Sequence, residues 1–180
     1  MQIRKGYKYR LKTNRTTGAQ CVRFAGACRF VWNKMLSINE HRYVSGIPRL
    51  SYAAACALVA WWKQSEEYGW LSEVHSQVLQ QCLKDLARAY TNLCAGRTAP
   101  PRYRKKLRAD SFRYPQGFKL DGHRVYLPRI GCGRVLGQSS CRRHDKERDR
   151  LQTGTALVCV LAGRNGDCRS SASRDGAGRY

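Results

Sequence analysis

A chain of 180 residues with 34 Lys and Arg against 12 Asp and Glu carries a formal net charge of +22. So large a surplus of one sign is unfavourable in a compact domain unless a polyanion offsets it, which points to nucleic acid ahead of a merely soluble basic surface or a ribosomal-type protein. No apolar run approaches the roughly eighteen residues of a membrane helix, and the start Met1-Gln2-Ile3-Arg4-Lys5 lacks the apolar core of a secretory signal, so a cytosolic location is expected. The nine Cys are an odd number for a disulfide framework, and no C-x-x-C pair offers the usual zinc geometry.

Residues Ile3 to Leu11 set Tyr7, Tyr9 and Leu11 against Lys8 and Arg10. This alternation predicts a half-buried strand with a basic outer face, which needs a partner elsewhere. Thr16 or Thr17 then offers a helix N-cap. Cys21, Phe24, Cys28, Val31, Met35 and Ile38 recur at threes and fours, predicting a helix of about twenty residues with one apolar stripe and with Gly26 as a bend or close-packing point.

Ser45-Gly46-Ile47-Pro48 breaks the pattern, and Ser51 caps a second predicted helix ending near Lys63. Trp61 and Trp62 close it. Adjacent helical positions diverge by about 100°, so one Trp belongs to the core while the other faces a neighbouring helix or a nucleic-acid surface. Ser72 offers the N-cap of a third helix, without a full capping box, in which Val78, Cys82, Leu86 and Leu93 keep helical spacing up to Gly96. His75 has no nucleophile or acid at matching spacing and reads as a surface or packing residue. Gln77, Gln80 and Gln81 are capable of contacting bases or phosphates, although exposed helix positions carry such amides routinely.

Beyond Gly96, Pro100-Pro101 ends the helix, and Arg102, Arg104, Lys105, Lys106 and Arg108 surround Tyr103. Basic side chains interleaved with aromatics suit phosphate neutralisation and base stacking. The predicted nucleic-acid contacts are therefore Arg102, Tyr103, Arg104, Lys105, Lys106, Arg108 and Arg113, with Lys8 and Arg10 on the first strand. Asp121-Gly122 between Phe118–Leu120 and Arg124–Leu127 is a hairpin signal.

The blocks YKYRL, ACRFVWNKML, WLSEVHSQVLQQCLKDLARAY, PPRYRKKLRADSFRYPQGFKLDG and VYLPRIG, in that order, resemble the N-terminal third of TnpB (OrfB)-type proteins of bacterial insertion sequences. The resemblance covers Met1 to about Gly131. It implies that the first strand and the later hairpin belong to a small β-barrel (wedge) domain interrupted by a helical recognition domain, described for the family as helix-turn-helix-like. It further implies a role in DNA transposition, DNA or a transposon-end guide RNA as partner, no membrane or small-molecule partner, and a bacterial cytoplasmic location. Full-length members resemble RNA-guided DNA endonucleases in which a RuvC-like domain holds Mg²⁺ through three carboxylates and a zinc ribbon uses two C-x-x-C pairs. Those features lie C-terminal to the matched blocks, and this sequence contains no recognisable equivalent of either. Glu40, Glu66, Glu67, Glu73, Asp85, Asp110 and Asp121 read as surface and helix-terminal groups. Neither catalytic residues nor a cofactor is expected in this chain.

Composition changes at the end of these blocks. From Gly131 onward the only aromatic is Tyr180, and nine of the ten basic residues are Arg. Such a step predicts an out-of-frame, disordered tail. The expected fold is thus α+β: a first strand at 1–12, a three-helix recognition bundle at 13–97, a basic linker and wedge hairpin at 98–131, and a disordered tail at 132–180. The expected function is nucleic-acid binding by a truncated TnpB-type transposase without nuclease activity. The alternative is an intact small basic DNA-binding regulator.

Overall fold

A computed structural model describes residues 6–12, 14–106, 111–138 and 157–161. The first strand, β1 (Gly6–Lys12), leads into α1 (Arg15–Val44), and Tyr52–Trp62 forms α2. A 3₁₀ turn at Gly69–Glu73 precedes α3 (Ser76–Cys94). Four short strands follow, β2 (Ser111–Tyr114), β3 (Lys119–Asp121), β4 (Arg124–Leu127) and β5 (Gly131–Gln138), and the last described element is β6 (Leu157–Leu161). The result is α+β, as the residue patterns predict: three helices beside one open sheet.

Helix α1 starts earlier and runs longer than expected. Asn14, not Thr16 or Thr17, is the N-cap: its side chain accepts from the Thr17 backbone amide at 2.8 Å and from the Thr17 hydroxyl at 2.6 Å. The 30 residues continue past Ile38 because the buried Asn39 keeps its place in the stripe. Its side-chain oxygen accepts the Leu50 amide at 3.0 Å, tying the loop before α2 to α1. At the far end Gly46 takes φ +68, with Gly46 and Ile47 amides donating to Tyr43 and Arg42 carbonyls in a Schellman closure.

Ser51 caps α2 as predicted, accepting from the Ala54 amide at 3.2 Å. The two Trp at its end divide as the geometry requires, Trp62 being 3% exposed and Trp61 63%. Ser72 does not cap α3; it sits in the 3₁₀ turn, and α3 begins four residues later with His75 at its N-cap position. A helical start signal in a sequence does not distinguish a 3₁₀ turn from the α-helix that follows it. Gly96 (φ +66) closes α3 with the same Schellman pattern seen after α1.

Strand order is β2-β6-β1-β5-β4-β3. The Asp-Gly hairpin forms, with Asp121 opposite Arg124 and Gly122 at φ +50. The partner that β1 requires comes from the region read as tail: β5 pairs with it antiparallel, Leu11 opposite Val135, and β6 pairs with it parallel, Gly6 opposite Leu157. The folded part therefore extends past residue 131. Of the residues assigned to a disordered tail, 132–138 and 157–161 stand in strands, while 139–156 and 162–180 lie outside the described residues. Composition passes over these strands because a ladder is built from backbone groups, which the Gly-rich β5 supplies as well as any other segment, and because the apolar run of β6 is only five residues long.

One core unites helices and sheet. Phe24 of α1 meets Phe112 of β2 at 5.6 Å between ring centroids, and Phe112 contacts Tyr114 at 6.0 Å. Tyr114 is fully buried, its hydroxyl donating to the Pro128 carbonyl at 2.7 Å. His75 packs against the Tyr114 ring at 5.6 Å, the packing role expected for it.

Candidate nucleic-acid interface

The basic segment after α3 does not project into solvent as a flexible run. It lies across α1 as a strap held by its backbone. Trp32 Nε1 donates to the Arg102 carbonyl at 3.0 Å. One turn of chain later, Asn33 Nδ2 donates to the Arg104 carbonyl at 3.0 Å while Asn33 Oδ1 accepts the Arg104 amide at 2.8 Å. A side-chain amide thus satisfies donor and acceptor of one strap residue at once, as a neighbouring strand would.

This anchoring divides the predicted contacts. Arg102, Lys105 and Lys106 are exposed. Arg104 is half-buried, its guanidinium 3.7 Å from the centre of the Trp32 ring, a cation–π contact that turns it toward the protein. Tyr103 leaves its ring 48% exposed, but its hydroxyl donates to the Glu40 carboxylate, and that bond raises its pKa. Arg113 is paired with Asp85 at 3.0 Å on the β2–α3 face. Lys8 and Arg10 lie on β1, opposite Cys159 and Leu161 of β6, with side chains outside the described residues; Arg108 lies outside them altogether. The residues brought together are therefore Arg102 to Lys106, and the outward cations among these are Arg102, Lys105 and Lys106.

Residue-pattern reasoning passed over the surface that the strap borders. Along α1, Gly26, Arg29, Phe30, Asn33, Lys34 and Ser37 line an open groove of about 470 Å³. Gly26 is the groove's floor and not a close-packing point, since an added Cβ would meet only the Arg29 guanidinium at 3.9 Å. Phe30 belongs to an aromatic cluster with Tyr68, Trp70 and Trp62, at centroid distances of 5.4, 5.3 and 6.2 Å. Trp70 in that cluster is 44% exposed, and the Lys34 ammonium sits 5.8 Å from the Tyr68 ring. The signal was present in the sequence: residues 26, 30, 33, 34 and 37 form a second stripe at helical spacing, one that mixes small, aromatic and basic types.

The α+β scaffold thus fixes a cationic strap beside a groove lined by one aromatic ring, Phe30, and by basic and polar side chains. The N-terminal portion of the chain is similar to proteins of the TnpB (OrfB) type. A helix-turn-helix domain family of the OrfB type matches residues 1–47. In this span the structure has β1 and the uninterrupted α1, with the turn reached at its end and α2 following from Tyr52. The chain is 40% identical over 133 residues to "Putative RNA-guided DNA endonuclease InsQ" of Escherichia coli (strain K12), an alignment covering 73% of this chain and 33% of that protein. It is 38% identical over 112 residues to "Putative RNA-guided DNA endonuclease" of Streptomyces pristinaespiralis, covering 61% of this chain and 28% of the relative. The chain thus spans about a third of the length of the curated relatives it matches. No helix among the described residues is long and apolar enough to cross a membrane.

Proposed function

We propose that this chain is the nucleic-acid-binding portion of a TnpB-type transposase, acting in the bacterial cytoplasm on DNA or a transposon-end guide RNA and performing no cleavage itself. The observation that carries this reading is the strap: Arg102, Lys105 and Lys106 point outward from a backbone pinned to α1 by Trp32 and Asn33. Fixing the backbone in advance reduces the ordering cost that a free basic run incurs on binding. The names of the relatives, RNA-guided DNA endonucleases, favour RNA and DNA as partners. No cofactor is required for binding of this kind, and Mg²⁺ or Zn²⁺ is assigned to the remainder of the full-length proteins. Aromatic rings beside the cations favour a ligand with accessible base faces over duplex readout by a regulator.

Competition binding at fixed salt tests the reading, with a structured RNA, an RNA–DNA hybrid and a short DNA duplex as competitors. Preference for the RNA or the hybrid is expected; nanomolar preference for one duplex sequence would favour the small regulator instead. Charge reversal of Lys105 and Lys106 together should weaken binding and flatten its salt dependence, since each lost phosphate contact removes roughly 0.7–0.9 from the log–log slope. An unchanged slope would place the contacts elsewhere. Cleavage of a labelled target in Mg²⁺ by the chain alone would overturn the non-catalytic assignment.

A further inference from the structure

Beneath the strap, α1 and α3 each contribute a cysteine to one contact. Cys28 and Cys82 are 2% and 5% exposed, and the Cys82 thiol donates to the Cys28 carbonyl at 3.2 Å, so its sulfur lies against the residue bearing the other thiol. Arg104 reaches in from the strap, with Nη1 3.8 Å from the Cys82 sulfur. A small cleft of about 60 Å³ touches both cysteines, Arg104 and Phe112. We propose that Cys82 and Cys28 form a peroxide-reactive dithiol, in which Cys82 is the attacking sulfur, Cys28 resolves it, and Arg104 stabilises the attacking thiolate.

The geometry fits the chemistry. A guanidinium beside a sulfur favours the thiolate, the form that reacts, while an apolar pocket without such a group suppresses it. Once ionised, Cys82 no longer donates to the carbonyl and instead accepts from the Cys28 thiol and from Arg104. Those two contacts hold its pKa below the ordinary thiol value, and the proton kept by Cys28 raises that of Cys28. Asp85, on the same cleft, opposes ionisation but is itself paired with Arg113. The cleft admits water-sized molecules, which selects hydrogen peroxide over a bulky disulfide such as oxidised glutathione.

In the first step the Cys82 thiolate attacks one peroxide oxygen and the O–O bond breaks. Hydroxide leaves, takes up the proton released when Cys82 ionised, and departs as water, with Cys82 as the sulfenic acid. The Cys28 sulfur then attacks the Cys82 sulfur, the S–O bond breaks, and the hydroxyl leaves with the Cys28 proton as a second water. Two thiols and one peroxide give one disulfide and two waters; two electrons pass from sulfur to oxygen. The product would covalently join α1 to α3 under the strap and remove the thiolate facing Arg104.

Exposure of the full chain to hydrogen peroxide, followed by proteolysis without reduction and mass spectrometry, tests the proposal directly. A cross-linked peptide pair containing Cys28 and Cys82 is expected, while Cys21 stays reduced as an internal control: it is buried, and burial alone pushes its thiol up to about 11. Cys28→Ser, checked for native circular dichroism, should leave Cys82 as a sulfenic acid that dimedone traps. Arg104→Gln should slow the oxidation by about tenfold, the effect of one pKa unit on the thiolate fraction, and move its pH midpoint upward. Cys82 remaining as reduced as Cys21 while the exposed Cys94 and Cys132 oxidise would overturn the proposal, with no variant needed.

Discussion

Tyr114 shows how much one side chain can hold when it reaches across elements. Its ring fills space between α3 and β2, and its hydroxyl satisfies the carbonyl of Pro128, next to the turn into β5. Tyr114→Phe keeps the packing and strands that carbonyl, so a loss of about 1–2 kcal/mol in chemical denaturation is expected. The same burial acts on titration. Desolvation lifts the Tyr114 hydroxyl beyond the ordinary tyrosine range and pushes the Cys21 thiol from 9.0 to about 11. A raised pKa means that the folded state retains a proton which the unfolded chain releases. The associated stability is therefore complete below pH 9 and is lost as pH climbs toward 11. Thermal melts across that window should show Tm falling, and Cys21→Ala should make the fall shallower, the rest coming from Cys28 and Tyr114. At this scale the angle between adjacent helical positions showed that one of Trp61 and Trp62 enters the core and the other does not, without saying which; the structure buries Trp62. The sequence was not readable for Arg104 against Lys105, adjacent cations in one run, because their difference arises from Trp32 and Asn33 about seventy positions away.

Among the elements, α1 carries the most obligations: its apolar stripe faces α3 and the sheet, and its second stripe carries strap and groove. Asn33 is where those obligations meet. Asn33→Ala deletes both bonds to the Arg104 backbone while leaving the helix propensity improved, since Ala is the better helix former. The strap should loosen without loss of α1. Trypsin cutting after Arg102, Arg104 and Lys105 should accelerate several-fold with helical circular dichroism unchanged, and equal cutting rates would show that Trp32 alone suffices as an anchor. Helix existence and the Asp-Gly hairpin were legible because periodicity and turn chemistry are local properties. The α1 start at Asn14 and the 3₁₀ turn before α3 were not, because capping is settled by which side chain reaches a free amide, and several polar candidates stood close together.

For the molecule as a whole, the charge of +22 is organised by a scaffold whose sheet depends on its last segments. A chain ended after Ile130 would retain all three helices and the β3–β4 hairpin, yet β1 would lose β5 and β6, β2 would lose β6, and β4 would lose β5. We expect Tm to fall by about 10 °C, corresponding to a loss of ~3 kcal/mol in a domain of this size, with most of the helical signal retained at low temperature. A Tm equal to that of the longer chain would show β5 and β6 to be dispensable. Composition hid this dependence because β5 is Gly-rich and the short apolar run Leu157–Leu161 is averaged away among the Gly, Arg and Ser around it.

That dependence sets a schedule during synthesis. Strand β1 emerges first from the ribosome, but its two neighbours, β5 and β6, begin 125 and 151 positions later, at Gly131 and Leu157. At about 5–20 residues per second, β1 waits roughly 6–25 seconds with both edges unpaired, while the helices between complete their local contacts. The Lys and Arg of that first strand, assigned above to phosphate, then have an earlier employment: charge along a bare edge discourages it from pairing with the wrong chain until its own partners arrive.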